Sequence, residues 1–359
     1  MALMQLIKNG YRRITVDTYQ FHRKPDFEGN MAKVLRGERP DRATLFELFL
    51  SPKHLERMAY VACDGNVPED YLRRTVSAMA YAGYDYASTH ASQLWFKHKA
   101  TTQHNTRCLN DNVEIWDWES FENFVWPDMR AQDYSRLEKI RPYLPEGMKL
   151  MVMGPGGVLE NVIKLVGYDN LCIMVYEEPE LARAVFDNVG SRLVEYYDSS
   201  VGYDTVGMVC SNDDWGFNTQ TFLSPAMMRE YLLPWHRRIV EVARKYKKPI
   251  LLHSCGNYAE IIDDVVDLGY NARHSYEDNI VPVEEAYESL HGRIAVLGGI
   301  DIHFLATGTP EEITRRCRAM LERTKERGGY ALGSGNSIAD FIPAENYDAM
   351  LRAAMEFDG

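Results

Sequence analysis

The sequence is poor in cysteine. Only Cys63, Cys108, Cys172, Cys210, Cys255 and Cys317 occur in 359 residues, and no two of them form a CxxC pair. That argues against a disulfide-stapled scaffold and fits a reducing compartment. Long apolar runs are missing as well. No stretch of about 18 apolar residues occurs, so no membrane-spanning helix is expected. Lys8, Arg12, Arg13 and Asp17 interrupt the N-terminal segment, which leaves no signal-peptide core. The expected location is the cytoplasm. Positive charge is in deficit: 40 Lys and Arg against 52 Asp and Glu give −12 at pH 7. A general polyanion binder needs the opposite balance, so nucleic acid is not an expected partner. No GxGxxG follows the first apolar strand, so a dinucleotide-binding fold lacks its usual support.

What is present is an ordinary soluble composition, 45% hydrophobic and 26% charged. The length admits two average domains or one large α/β barrel with insertions. Residues 1–43 read as an N-terminal helical extension, with a helix expected near Asn30–Arg36. From residue 44 short apolar strands alternate with helices. Strands are expected at Thr44–Phe49, Asp85–Thr89, Lys149–Gly154, Thr205–Cys210, Pro249–His253, Ala272–Tyr276, Ile294–Gly298 and Gly329–Gly333. Long amphipathic segments, such as 158–198 and 224–247, lie between them. Such alternation implies βαβ units and a parallel sheet, and eight units imply a single (β/α)8 TIM barrel over 44–359. A doubly wound open sheet is the alternative. One interval, 91–132, breaks the rhythm as an aromatic-rich insertion between the second and third strands. It holds four of the six tryptophans: Trp95, Trp116, Trp118 and Trp126. Within it Asn112–Glu119 alternates like a strand. The insertion reads as a small β-excursion on the barrel, or as a lid that offers aromatic faces to a substrate.

In a parallel barrel the chemistry sits at the C-terminal strand ends. His253-Ser-Cys255-Gly-Asn257 ends the strand at 249–253. Residues two apart on an extended segment face one side, and imidazole and thiolate are both zinc ligands. Glu277 follows the next strand, where adjacency would bring it beside His253 and Cys255. Three ligands with an open fourth position is the catalytic zinc pattern; the plainer reading is a pair of buried polar groups. Asp213 and Asp214 follow the strand at 205–210 and read as substrate-binding or general-base carboxylates, or as a cap-and-turn pair. Glu47 and His90 end the first two strands, and Asp301 the seventh. Ser334 and Asn336 follow the last strand, where they would hydrogen-bond a substrate, with Trp215 and His90 completing that set. Gly154-Pro-Gly-Gly157 reads as a tight turn or an anion cradle.

HSCGN after a strand and before a helix resembles the zinc strand of the uroporphyrinogen decarboxylase superfamily, in its corrinoid-dependent methyltransferase branch. Val34–Arg42, Asn212-Asp-Asp-Trp-Gly216 with Leu223-Ser-Pro225, Gly298-Gly-Ile-Asp301 with Gly308-Thr-Pro-Glu311, and Gly328–Gly333 with Ile342–Asn346 resemble further motifs of that superfamily, in order. The resemblance spans about residues 30–357 and implies a (β/α)8 barrel with its active site in the mouth. The Arg-rich MRQAGRY-like motif of true uroporphyrinogen decarboxylases is missing, which counts against porphyrinogen decarboxylation. The methyltransferase branch resembled here uses a zinc ion bound by HxC and a later cysteine in a PGCG-like loop. The corresponding loop reads Gly333-Ser-Gly-Asn336-Ser337, with Asn336 where that thiolate would fall.

One cysteine fewer and one carboxylate more make a harder, more Lewis-acidic site. The expectation is therefore a zinc-dependent methyltransferase of the O-demethylase type. It would take a methyl group from a small donor, preferably a methoxylated aromatic, and pass it to the corrinoid of a separate protein. No DxHxxG-like cobalamin motif occurs in this chain, which makes the corrinoid protein a transient partner. The alternatives are a decarboxylase of the same superfamily, a methylcorrinoid:thiol or folate methyltransferase, and a non-enzymatic ligand-binding barrel.

Overall fold

The computed structural model describes residues 23–357 apart from 64, 68, 95, 97–108, 111 and 112. Seven strands form one sheet in sequential order: β1 (Tyr86–His90), β2 (Lys149–Met153), β3 (Val206–Asn212), β4 (Ile250–His253), β5 (Ala272–His274), β6 (Ala295–Leu297) and β7 (Tyr330–Ala331). Every neighbouring pair is parallel. Strands covered on both faces carry continuous apolar runs; Leu150, Met151, Val152, Leu251 and Leu252 are all fully buried.

The sequence expected an eighth strand at Thr44–Phe49. That segment runs beside the chain that follows β7 without a continuous ladder, meeting it at the isolated parallel bridges Leu45–Leu332 and Leu50–Ile338. The Phe46 N–H donates to the Leu332 carbonyl and the Leu332 N–H to that of Thr44, both at 2.8 Å. On its other side a side chain takes the place of a strand bond. The Tyr86 hydroxyl on β1 accepts from the Glu47 N–H at 2.8 Å and donates to the Glu47 carbonyl at 2.6 Å. Both main-chain groups of Glu47 are thus satisfied without a ladder. The architecture is an α/β TIM-type barrel with seven laddered strands and one bridged stave.

Two expectations change. Residues 158–198 are three helices, Val158–Val166, Tyr168–Glu177 and Pro179–Ser200. The chain breaks first at Gly167, whose φ of 82° lies in the left-handed region that glycine favours. The second break precedes Pro179, whose ring restricts the residue before it. Of the strand expected at Asn112–Glu119, the first residue lies outside the described ones, and no strand forms over 113–119. Asp117 instead caps a helix over Trp118–Asn123, with its carboxylate accepting the Ser120 N–H at 2.8 Å. The apolar alternation there is outweighed by this local capping bond. The short helix expected near Asn30–Arg36 is present as Met31–Leu35. Among the described residues no helix is long and apolar enough to cross a membrane.

Candidate metal centre

His253 is the last residue of β4, in register with Asn212 of β3 and His274 of β5. The chain then bends at Gly256, whose φ is 90° and where a Cβ would collide with the Gly216 carbonyl. This bend zips the loop after β4 onto the loop after β3. The Trp215 N–H donates to the Cys255 carbonyl at 3.4 Å and the Asn257 N–H to the Phe217 carbonyl at 2.7 Å. The Cys255 N–H donates to Asp214 Oδ1 at 2.9 Å. The zipped loops bring three ligand-type side chains to one point. Asp214, His253 and Cys255 each offer one atom, and these atoms lie within 4.8 Å of one another. His253 Nε2 is 3.8 Å from Cys255 Sγ and 4.0 Å from Asp214 Oδ1.

His253 and Cys255 therefore sit as the H-x-C spacing predicts, but the carboxylate beside them is Asp214. Glu277 is not in the cluster. After His274 the chain turns toward the loop that follows β7, with the Tyr276 N–H donating to the Gly335 carbonyl at 3.1 Å. The Glu277 carboxylate is engaged by the Gly256 N–H instead. Asn336 does reach the cluster, and its Nδ2–H donates to Cys255 Sγ at 3.2 Å. Ser275, which the sequence did not single out, lies with Oγ 4.0 Å from the same sulfur.

Burial disfavours charge on Cys255, His253 and Glu277. Desolvation pushes the Cys255 thiol up, and the negative charge of Asp214 adds to it. Desolvation also raises Glu277 and lowers His253. The negative charges of Asp214 and Glu277 that raise the Cys255 thiol are of the kind a bound divalent ion would offset.

Several expected residues lie elsewhere. Asp213 points to the far side of β3, fully buried, and its oxygens are taken up. They accept the N–H groups of Leu159 and Glu160, at 3.0 and 2.9 Å, and face His236 Nε2 at 2.9 Å. Asp213 thus caps the Val158–Val166 helix from another strand, which favours a carboxylate at a helix N-terminus. Trp215 is also buried, packed edge-on against His236 and Tyr258 with ring centres 4.9 and 5.4 Å apart, and offers no face to a substrate. Glu47 is fully buried; its oxygens accept the Ser334 N–H and O–H, both at 2.7 Å. Ser334 is occupied by that pairing. Burial pushes the Glu47 carboxyl up to about 8. His90 pairs in register with Met153 on β2, and its ring meets the Met153 and Gly154 main chain, with β2 and β3 between its own strand and β4. Asp301 caps the helix Ile302–Thr307 through the Phe304 N–H at 2.9 Å. The Gly154–Gly157 turn presses against Asp213, since a Cβ at Gly157 would overlap its carboxylate.

Sequence reasoning passed over His274 and Glu160. His274 Nδ1 is 2.8 Å from His253 Nδ1, and its Nε2 is 3.1 Å from the Ser334 carbonyl. The signal for it was the register of adjacent strands, since paired residues share a face. Glu160 is held near 7 by burial, with Asp213 and Asp214 close by.

Comparison with known proteins agrees with this architecture. A computed fold match covers 92% of this chain and 98% of a methyltransferase from Methanosarcina mazei, with a TM-score of 0.69 at 17% identity. The chain is 27% identical over 191 residues to the uroporphyrinogen decarboxylase of Anaeromyxobacter dehalogenans, covering 53% of this chain and 52% of that protein. It is 22% identical over 209 residues to the methylcobamide:CoM methyltransferase MtbA of Methanosarcina acetivorans, covering 57% of each. The chain thus matches about half the length of such curated relatives. Residues 140–357, more than half of the chain, match the family Uroporphyrinogen decarboxylase (URO-D), and with the barrel and its strand-end cluster described, the chain belongs to that family.

Proposed function

We propose that this chain is a zinc-dependent methyltransferase that moves a methyl group from a small methoxylated donor, preferably aromatic, to the corrinoid of a separate partner protein. The observation that carries this reading is the convergence of Asp214, His253 and Cys255 at the C-terminal strand ends. Tetrahedral zinc with ligands at its usual bond lengths sets nitrogen, oxygen and sulfur donors about 3.3–3.6 Å apart. The separations of 3.8 and 4.0 Å need only a small contraction to meet that. Three protein ligands leave a position for substrate.

The donor set argues for an oxygen-bearing substrate. With Asp214 as the carboxylate grouped with His253 and Cys255, the proposed ligand set has one thiolate, and Asn336 stands beside the sulfur where a second thiolate would soften it. Bound zinc would act as a Lewis acid that polarises the donor's ether oxygen. The chain's own groups prepare that position. Asn336 directs an N–H at the Cys255 sulfur, which favours its thiolate form, while the Cys255 thiol itself faces Ser275 Oγ as donor at 4.0 Å. Cys255 donates its own N–H to Asp214 and so aims that carboxylate at the cluster. The segment leaving the C-terminal end of β1 carries Trp116 and Trp118 with exposed rings, an aromatic surface suited to an aryl donor.

A decarboxylase would hold a polycarboxylate with arginines. Arg273, on β5, is buried against Tyr258, to whose hydroxyl its Nε donates at 2.5 Å. The same reading keeps 1–43 as an extension and 44–359 as the barrel. Two measurements test it. Metal analysis of the purified chain is expected to give about one zinc, lost in His253→Ala and Cys255→Ser. Reduced corrinoid protein is expected to gain methyl from a panel of methoxybenzenes; no transfer from any of them would overturn the reading.

A further inference from the structure

We propose that His274 is the positioning residue for His253: seated between the Ser334 carbonyl and the His253 ring, it fixes the tautomer in which His253 turns a bare Nε2 toward Asp214 and Cys255. The inference rests on the reading of that cluster as a metal site, and it deepens it by naming what prepares its nitrogen ligand.

The argument begins with an inventory of protons. A carbonyl oxygen only accepts, so the 3.1 Å contact between Ser334 O and His274 Nε2 requires a proton on Nε2. His274 is fully buried, with Phe46 edge-on at 4.9 Å between ring centres and the Gly298 backbone against its Cδ2–Nε2 edge. An imidazolium in that slot would be a buried charge facing only a carbonyl, another imidazole and an aromatic ring, which is costly. The neutral ring has one donor and one acceptor. With Nε2 as the donor, Nδ1 is the acceptor. His253 Nδ1 stands 2.8 Å from it and must carry the proton of that bond. The remaining nitrogen of His253, Nε2, is then left with its lone pair, and it is the atom 3.8 Å from Cys255 Sγ and 4.0 Å from Asp214 Oδ1.

A histidine that binds a metal usually donates its second N–H to a carboxylate, carbonyl or water, which sets its tautomer and raises its basicity. Here a second imidazole relays that bond to a main-chain carbonyl of the loop after β7, two strands further round. The relay is anchored. The Ser334 carbonyl is held in place because its own N–H and hydroxyl are both bound by Glu47, at 2.7 Å each. Glu47 is in turn tied to β1 through Tyr86. The meeting of the two rings follows from register, since His253 and His274 pair directly across β4 and β5. In-register residues of parallel neighbours point to the same face, about 4.8 Å apart. Gly298 completes the seat: a Cβ there would press on His274 Cδ2 and Nε2.

The test uses the full chain and zinc alone. His274→Leu removes the acceptor for the His253 N–H and is expected to weaken zinc binding roughly ten- to a hundredfold in competition with a chromophoric chelator. His274→Asn places an amide oxygen near the Nδ1 position and is expected to recover most of that loss. A His274→Leu chain that keeps a native circular dichroism spectrum and binds zinc within twofold of the parent would overturn the proposal. If that variant does not fold, the metal-free parent chain decides. Labelled with 15N-histidine and assigned with His253→Gln, it is expected to show His253 protonated at Nδ1 and bare at Nε2. The opposite tautomer would overturn the relay. Failure of the parent chain to bind zinc would instead remove the metal reading and leave the tautomer result standing on its own.

Discussion

Asp213 and Asp214 are neighbours in sequence and opposites in structure. Asp213 turns behind β3 into a closed network with two helix N–H groups and His236, whose Nδ1 meets the Tyr270 hydroxyl at 2.6 Å. Asp214 turns toward the barrel mouth, where its side chain keeps 38% of its exposure and its Oδ1 accepts the Cys255 N–H. The first has its hydrogen-bonding capacity spent on other parts of the fold, and the second retains capacity for something outside it. Two carboxylates one residue apart thus differ in hydrogen-bond saturation, which separates a structural group from the proposed metal ligand where sequence could not.

The comparison can be broken in order of expected effect. His253→Ala or Cys255→Ser should abolish zinc binding and cost roughly a thousandfold or more in methyl transfer, while urea unfolding of the metal-free chain stays near the parent's. A large loss of metal-free stability would show that the open cluster is structural after all. Asp213→Ala should do the reverse. It leaves two buried helix N–H groups and His236 without their acceptor and should cost roughly 4 kcal/mol in urea unfolding. The chain that remains folded should bind zinc as the parent does. Asp214→Asn should change stability by less than about 1 kcal/mol, as expected for a half-exposed group, yet lower zinc affinity at least tenfold.

Glu47 gives a pH signature with a definite sign. Its carboxyl rises from an ordinary 4.5 to about 8 in the folded chain. The folded chain therefore keeps a proton that the unfolded chain gives up as pH rises above 4.5. That contribution to stability is complete below about 4.5 and is lost as pH climbs through about 8. Glu47→Gln should flatten this part of the stability–pH curve, by roughly 4 kcal/mol between pH 5 and pH 9. The smallest effect is expected at the sulfur. Asn336→Ala should lower zinc affinity a fewfold by removing one N–H donor to Cys255. Asn336→Cys should tighten zinc binding and slow transfer from methoxy donors, because a second thiolate softens the centre.

The sequence made the barrel and half of the site legible for different reasons. Strand ends could be placed because buried parallel strands leave unbroken apolar runs, as at Leu150–Val152 and Ile250–Leu252. His253 and Cys255 followed from period-two alternation at such an end. Glu277 lies outside the grouping of Asp214, His253 and Cys255, and the path that carries it there includes a contact of Tyr276 with Gly335, some 60 residues further along the chain. Asp214 enters through the pairing of two loops, a tertiary event that no local pattern encodes. The capping box at Asp117–Ser120 was readable, but the alternation of Trp116 and Trp118 with acidic residues gave a competing strand signal. The stave at Thr44–Phe49 carries strand-like residues, and a tyrosine hydroxyl from β1 takes the place of its second ladder.

That hydroxyl makes the join between the stave and β1 unlike the ladders between the laddered strands. A ladder opens only when several hydrogen bonds are lost together, whereas this seam is latched at Glu47 by one side chain. Local opening draws on the least-braced parts of a fold, so the wall should breathe here first, and the Glu47 amide should exchange its hydrogen faster than that of Leu251 in the sheet. Tyr86→Phe would unfasten the latch while keeping the ring in place. Because Glu47, Ser334, His274 and His253 form one connected line of hydrogen bonds, loosening the wall on one side of the mouth would be felt as a less steady ligand on the other.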